Sequence, residues 1–471
     1  MSNSPKIAVI GAGPGGYAAA FYAADLGMDV TLVDAEKNPG GVCLYRGCIP
    51  SKALLHVAKL LEEADHASEW GIDFGKPKVD VNKLRAYKDR VVEKLTSGTG
   101  QVAKLRKIRY LQGRATLTGP TRFTVALAAG GEEAVEVDDI ILATGSSPTR
   151  IPSLSLDSPR VLDSTGALDL PEVPKTMLVV GGGYIGLELG SVYAALGAKV
   201  SVVEMTPGLL PGADRDLVKI LAQRVEKTFD KVMLATKVTW MKEAKKGITV
   251  SFEGEGAPAS ETYDYVLVSI GRRPNGHVPG LETTRVQVTD KGFIETDGQR
   301  RTAEPTVFAI GDVAGEPMLA HKASHEARVA VEAIAGHKAI FEPLAIPAVV
   351  FTDPEVAWAG LTEADAEKQG IEVEVARFPW GASGRAISID RVDGLTKILV
   401  DPKTERVLGV GIVGSGAGEL IAEATLAIEM GATVSDLKLT IHAHPTLSET
   451  VMEAAEVFFG QATHVYKPRR K

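Results

Sequence analysis

A chain of 471 residues is too long for one simple core and fits about three domains. With 45% apolar and 24% charged residues the composition is globular, and a formal net charge of −8 excludes the basic footprint of a nucleic-acid binder. No run of 18 apolar residues is present to cross a membrane.

The first predicted elements lie in IAVIGAGPGGYAAAFYAADLGMDVTLVD, Ile7 to Asp34. The pattern reads as strand, glycine turn, helix and second strand. Ile7 to Ala24 also has the length of a secretory leader. Its glycines, Pro14 and only Lys6 as a preceding cation fit a folded turn better, so the chain is expected in the cytoplasm. Gly11 permits the tight turn, Gly13 lets a pyrophosphate approach the backbone, and Gly16 lets the helix pack close to the sheet. Asp34 ends the second strand, where a carboxylate accepts hydrogen bonds from a ribose.

Next comes GGVCLYRGCIPSK, Gly40 to Lys52, which holds both cysteines of the chain. In a cytoplasmic protein a close pair points to redox chemistry or a metal rather than a structural staple. Two cysteines cannot close a zinc site without help, here from His56, and no metal is expected. SKALLHVAKLLEEA has helical spacing, which puts Cys48 just before a helix start. The positive end of that helix favours a Cys48 thiolate. Cys43 reads as part of a glycine-rich turn.

The stretch MLVVGGGYIGLELGSVYAALGAKVSVVE, Met177 to Glu204, repeats the first unit without a gap. Gly181, Gly183 and Gly186 fall on Gly11, Gly13 and Gly16, and Glu204 falls on Asp34. One such glycine pattern is weak evidence; two in register imply two adenine dinucleotides. Glu204 suits a free 2′-hydroxyl, and Met205, Thr206 and Pro207 supply no arginine for a 2′-phosphate, so NAD is expected over NADP. VDDIILATGSSP (Val137 to Pro148) and YDYVLVSIGRRP (Tyr263 to Pro274) form a second echo, each the last strand of its unit. The first unit is then expected to resume, with TVFAIGD (Thr306 to Asp312) as a further buried strand. Asp312 would either hold a flavin ribityl hydroxyl or cap the helical stretch Met318 to Ala335. Near the end, HAHPTLSE offers His444, a residue able to take a proton near neutrality, and Glu449, able to fix its tautomer; a turn histidine is the plainer alternative. The basic tail Lys467 to Lys471 reads as a solvated end.

Taken in order, GAGPGG, GGVCLYRGCIPSK, ATG, GGGYIGLELG, SIGRRPN, AIGD and HAHPTLSE resemble the flavin-dependent pyridine nucleotide–disulfide oxidoreductases, and within them the dihydrolipoyl dehydrogenase branch. The resemblance covers nearly the whole chain. Val42, Tyr45 and Arg46 depart from the branch's usual GGTCLNVGCIPSK. The resemblance implies an α/β fold with two Rossmann-like dinucleotide-binding domains, for FAD and NAD, and a C-terminal α+β dimerisation domain. The expected boundaries are 1–150 and 276–345 for the FAD domain, 151–275 for the NAD domain and 346–471 for the interface domain.

The same resemblance implies the roles. Cys48 would be the thiolate against the flavin and Cys43 the sulfur that exchanges with substrate. Lys52 would lie near the flavin, paired with Glu188; a plain surface ion pair is the alternative. Asp312 would bind the ribityl chain, and Ala115, Gly145 and Ala320 would approach FAD through backbone. Val238 and Gly271 would line the NAD site, and Tyr184 would shield it. His444 would be the base, oriented by Glu449, with a cis bond before Pro445 and His442 structural. The other histidines, His56, His66, His277, His321, His325, His337 and His464, read as structural or exposed. The expected reaction is oxidation of protein-bound dihydrolipoamide with NAD, by a homodimer whose active site is shared between subunits. Its partner would be an acyltransferase or carrier protein of a 2-oxoacid dehydrogenase or glycine cleavage complex. A glutathione-reductase-like NADPH enzyme and a flavin-bound assembly subunit with little turnover are the alternatives.

Overall fold

The run KIAVI forms the strand Lys6–Ile10, whose last four residues are buried. It sits inside a sheet of the computed structural model, which describes residues 4–466; the basic tail lies outside the described residues. Strands buried on both faces must be apolar along their buried length, and Ile7 to Ile10 are. It pairs in parallel with Asp29–Asp34 on one side and Asp139–Leu142 on the other. Val307–Ala309 adds to the far edge in parallel, so a segment from beyond residue 300 completes the first unit's sheet. Arg109–Gly119, Arg122–Leu127 and Glu132–Glu136 extend the other edge.

The second unit repeats this arrangement. Thr176–Val180 lies between Lys199–Val203 and Tyr265–Val268 in a parallel sheet of five strands. Helices Pro14–Asp25 and Tyr184–Ala195 follow their glycine turns in corresponding places. Gly11 and Gly181 adopt φ of +99° and +108°. A Cβ on them would lie 2.3 Å from the Ala143 carbonyl oxygen and 2.6 Å from that of Ser269. Side chains are excluded there by sterics as well as by φ. Gly16 and Gly186 are closer still, with a Cβ at 1.8 Å and 2.2 Å from the carbonyl oxygens of Gly11 and Gly181.

The two echoed segments meet. Ser146–Pro148 and Arg272–Pro274 form a two-stranded antiparallel ribbon, in which Ser147 faces Arg273. These two residues are counterparts in the echo, so the chain leaves the first unit and returns to it through side-by-side equivalent strands.

The C-terminal part is a five-stranded antiparallel sheet running Ala348–Val350, Glu355–Gly360, Val407–Gly414, Leu395–Val400, Glu374–Pro379. Helix Ala417–Glu429 packs on its second and third strands, and helix Glu449–Phe458 on its last two. Trp380 is fully buried there and donates Nε1–H to Thr396 Oγ1 at 3.0 Å. Lys397 is a buried charge. Its Nζ lies 2.6 Å from Asp214, 2.9 Å from Asp216 and 2.5 Å from Glu363, which joins this sheet to the start of the second unit's helix Arg215–Thr228. A buried ammonium needs such company to stay charged.

Candidate active site

Two helices face each other and each presents a pair of residues one turn apart to a common space. Cys48 and Lys52 lie on helix Cys48–His66, and Tyr184 and Glu188 on helix Tyr184–Ala195. Spacing of i and i+4 puts both members of each pair on one face. The space is a cavity of about 720 Å³, lined also by Gly11, Gly13, Gly16, Asp34, Cys43, Ala115, Gly145, Asp312 and Ala320. Thirteen residues named from sequence thus converge, although they lie as far apart in the chain as Gly11 and Ala320.

The cysteines differ from their expected setting. Cys48 is the first residue of its helix rather than lying before it, and Cys43 sits in a short helix of its own, Gly41–Arg46. Both are free thiols. A hydrogen bond from Cys43 pulls Cys48 down to about 7, against the effect of burial, and the Lys52 charge adds to the shift. Cys48 is exposed only in the sense that it faces the cavity. The same bond, together with burial, pushes the Cys43 thiol far up. The pair therefore holds its first negative charge on Cys48.

Lys52 Nζ donates to Glu188 Oε2 at 2.8 Å. Ser51 Oγ donates to the same oxygen at 3.0 Å, and the Phe351 amide donates to Glu188 Oε1 at 3.0 Å. Glu188 is 3% exposed, so this is a buried, fully satisfied carboxylate and no surface ion pair. Tyr184 is 42% exposed, with its open face on the cavity; burial around its hydroxyl pushes it up to about 12, while Arg272 opposes.

Asp312 caps no helix. The helix after it spans Ala320–Ile334 and is capped at Leu319, while Asp312 Oδ2 accepts from Ser146 Oγ at 2.5 Å. Arg272, absent from the sequence expectation, donates to Ser146 Oγ at 2.7 Å and to the Ser146 carbonyl oxygen at 2.6 Å. The ribbon thus links the second unit to Asp312 through Ser146. The only sequence signal for Arg272 was its place after the glycine of the second echo.

Asp34 and Glu204 have backbone partners within the protein. Asp34 accepts from the amides of Ala12 at 2.6 Å and Glu36 at 2.9 Å. Glu204 accepts from the amides of Gly182 and Thr206, both at 2.7 Å. Each acid braces the glycine turn of its own unit, and the repeat extends to these hydrogen bonds.

The residues fit dinucleotides on two counts. Beside Gly13 and Gly183 there is nothing within 4 Å of where a Cβ would stand. These glycines also precede helices with no side-chain cap and no acid in the first turn, which leaves donors for a pyrophosphate. Gly181, Gly183, Gly186, Glu204, Val238 and Gly271 belong to the second unit and do not line the 720 Å³ cavity. Val238 is buried in strand Lys237–Ala244.

His444 and Glu449 are apart from the cavity. His444 Nδ1 lies 2.9 Å from Glu449 Oε1, and the Thr446 amide donates to Glu449 Oε2 at 2.8 Å. Burial raises the Glu449 carboxyl, but these partners hold it below the ordinary value. The His444 side chain is 74% exposed, and the bond before Pro445 is cis. His442, by contrast, is pinned between Glu423 at 2.8 Å and the Thr440 carbonyl at 2.9 Å.

Residues 5–327 match the pyridine nucleotide-disulphide oxidoreductase family, and residues 346–455 match its dimerisation domain. The chain belongs to this family. It is 50% identical over 467 residues to the dihydrolipoyl dehydrogenase of Vibrio cholerae, covering 99% of this chain and 98% of that one. It is 45% identical over 458 residues to the dihydrolipoyl dehydrogenase of Geobacillus stearothermophilus, covering 97% of each. The crystal structure of LpdA from Mycobacterium tuberculosis superposes with a TM-score of 0.88 at 26% identity, over 96% of this chain and 99% of that one. As a pyridine nucleotide–disulphide oxidoreductase the chain is an enzyme that works with FAD and NAD. Its C-terminal sheet and helices are a dimerisation domain. Among the described residues no helix is long and apolar enough to cross a membrane.

Proposed function

We propose that the chain oxidises protein-bound dihydrolipoamide to lipoamide with NAD as acceptor, as a cytoplasmic homodimer whose active site is shared between subunits. The observation that carries this reading is the split acidity of the Cys43–Cys48 pair on a cavity that also holds Lys52 and Glu188. The partner would carry its dihydrolipoyl group on an acyltransferase or carrier protein. The exposure of His444 supports the shared site: in one chain the base stands away from its sulfurs, open to a second copy.

The residues act as follows. A substrate thiol gives its proton to Nε2 of the partner subunit's His444, whose Nδ1 is held by Glu449. The substrate thiolate bonds to Sγ of Cys43, the Cys43–Cys48 bond breaks, and Cys48 keeps the electron pair as a thiolate. The second substrate thiol then attacks the first substrate sulfur. Lipoamide leaves with its ring disulfide closed, and Cys43 departs carrying the second proton. Both cysteines are now reduced, as in the structure, with the charge on Cys48. Lys52, one turn from Cys48, stabilises that charge, and Glu188 keeps Lys52 in place. FAD would be held by Gly11, Gly13, Gly16, Asp34, Ala115, Gly145, Asp312 and Ala320, and it supplies a two-electron path from sulfur to the nicotinamide. NAD would be held by Gly181, Gly183, Gly186, Glu204, Val238 and Gly271.

Anaerobic titration with dihydrolipoamide tests the reading. One equivalent per subunit is expected to give a long-wavelength absorbance from a thiolate beside the flavin. No reaction with dihydrolipoamide overturns it. Cofactor choice is tested separately. Glu204→Ala is expected to narrow the ratio of kcat/KM for NAD over NADP by at least tenfold, about 1.4 kcal/mol. An unchanged ratio removes Glu204 as the selector.

A further inference from the structure

Phe351 reaches the redox centre from an unexpected side. It follows strand Ala348–Val350, the first strand of the dimerisation domain's sheet. Its ring lies under the Lys52 ammonium, 4.5 Å from nitrogen to ring centroid. Its amide donates to Glu188 Oε1 at 3.0 Å, while Lys52 and Ser51 occupy Oε2. Lys52 is thus gripped by two units of the fold: Glu188 comes from the second nucleotide unit and the aromatic face from the dimerisation domain. An ammonium over an aromatic face is attracted by the ring's quadrupole, most strongly where water is scarce.

We propose that the Phe351 ring positions the Lys52 ammonium, so that the dimerisation domain of each chain governs how readily its own Cys48 thiolate forms. The charged and titratable groups facing Cys48 are Cys43 on the neighbouring short helix, Lys52 on its own helix, and Glu188 and Tyr184 on the facing helix, with Tyr17 from the first unit. Lys52 favours the thiolate and Glu188 disfavours it. The balance therefore depends on where the ammonium sits between them. Without the ring, the ammonium is held by Glu188 alone and can swing about that carboxylate, away from the sulfur and toward the solvated cavity, which weakens its support of the thiolate. Phe351 is a positioning residue: it touches Lys52, not the sulfurs.

The inference rests on Cys48 being the thiolate of the pair, so the test reads that group directly and needs no turnover. The reduced holoenzyme is labelled with iodoacetamide across a pH series, and the labelled cysteine is identified by peptide mapping. In the unaltered protein Cys48 is expected to label with a midpoint near its depressed value of about 7. Phe351→Leu, which keeps the amide and the bulk, is expected to raise that midpoint by about half a pH unit, roughly twofold slower labelling at neutral pH. Phe351→Tyr restores the aromatic face and is expected to return the midpoint. Phe351→Met serves as the ring-free variant if the leucine form does not fold. A ring-free variant that titrates like the unaltered protein overturns the proposal, as does a tyrosine variant shifted as far as the leucine one, which would mark a packing role. Labelling of Cys43 in place of Cys48 in the unaltered protein overturns the assignment beneath it.

Discussion

Cys48→Ser is expected to lower dihydrolipoamide-dependent NAD reduction by roughly 10³–10⁶-fold, the range typical of losing a nucleophilic or leaving atom. The serine hydroxyl cannot form the disulfide or carry the electron pair, so the loss falls on kcat and not on KM. Cys43→Ala, which likewise lacks the exchanging sulfur, is expected to be as severe, yet to differ in one respect. It leaves the Cys48 thiol beside Lys52 and removes the Cys43 hydrogen bond, which is the largest cause of the low Cys48 value. The Cys48 midpoint should therefore move up from about 7 in that variant. NADH-driven reduction of an artificial dye, which uses FAD and NAD without the sulfurs, should persist in both. Loss of dye reduction as well would mean that the cysteines hold the fold or the flavin, and not the exchange step.

His444→Gln is expected to cost 10²–10⁴-fold in dihydrolipoamide turnover, the usual share of a positioned general base. Glu449→Gln keeps a hydrogen bond to Nδ1 but removes the charge, so a smaller loss is expected. Mixing decides whether the site is shared. When the Cys48→Ser and His444→Gln proteins are unfolded and refolded together, half of the dimers are mixed, and each mixed dimer rebuilds one intact site from two chains. About a quarter of full activity is expected. A base working on its own chain's sulfurs would leave the mixture as inactive as its parts.

Much of the molecule was legible because its demands are local and steric. Gly11 and Gly181 must be glycine, since a Cβ would meet a carbonyl oxygen within 2.6 Å in each unit. The gap-free repeat therefore transmits directly from sequence to two matching turns. The cysteine spacing was equally readable, but the helix around Cys43 was not. Gly41–Arg46 is only six residues long and starts beside two glycines, so local propensity argues against it. Long-range partners were invisible for a different reason. Nothing near Phe351 indicates that its ring lies over Lys52, or near Arg272 that it grips Ser146. Lys397 shows the limit of pattern reading. It stands in LTKILV, where a strand's alternation allows an outward lysine, yet it is wholly enclosed because three carboxylates from two domains surround its ammonium.

The ribbon of Ser146–Pro148 and Arg272–Pro274 has an architectural consequence. The second nucleotide unit is an insertion whose entrance and exit are neighbouring strands, with Ser147 opposite Arg273. A guest that comes and goes by one doorway places no spacing requirement on its host, because the interrupted ends already lie within a hydrogen bond of each other. The host sheet, from Val307–Ala309 through Lys6–Ile10, closes without a strand from the guest. The guest is for this reason easily accommodated but not independent, because its Glu188 holds the host's Lys52 at 2.8 Å and any exchange of the unit must carry that carboxylate with it.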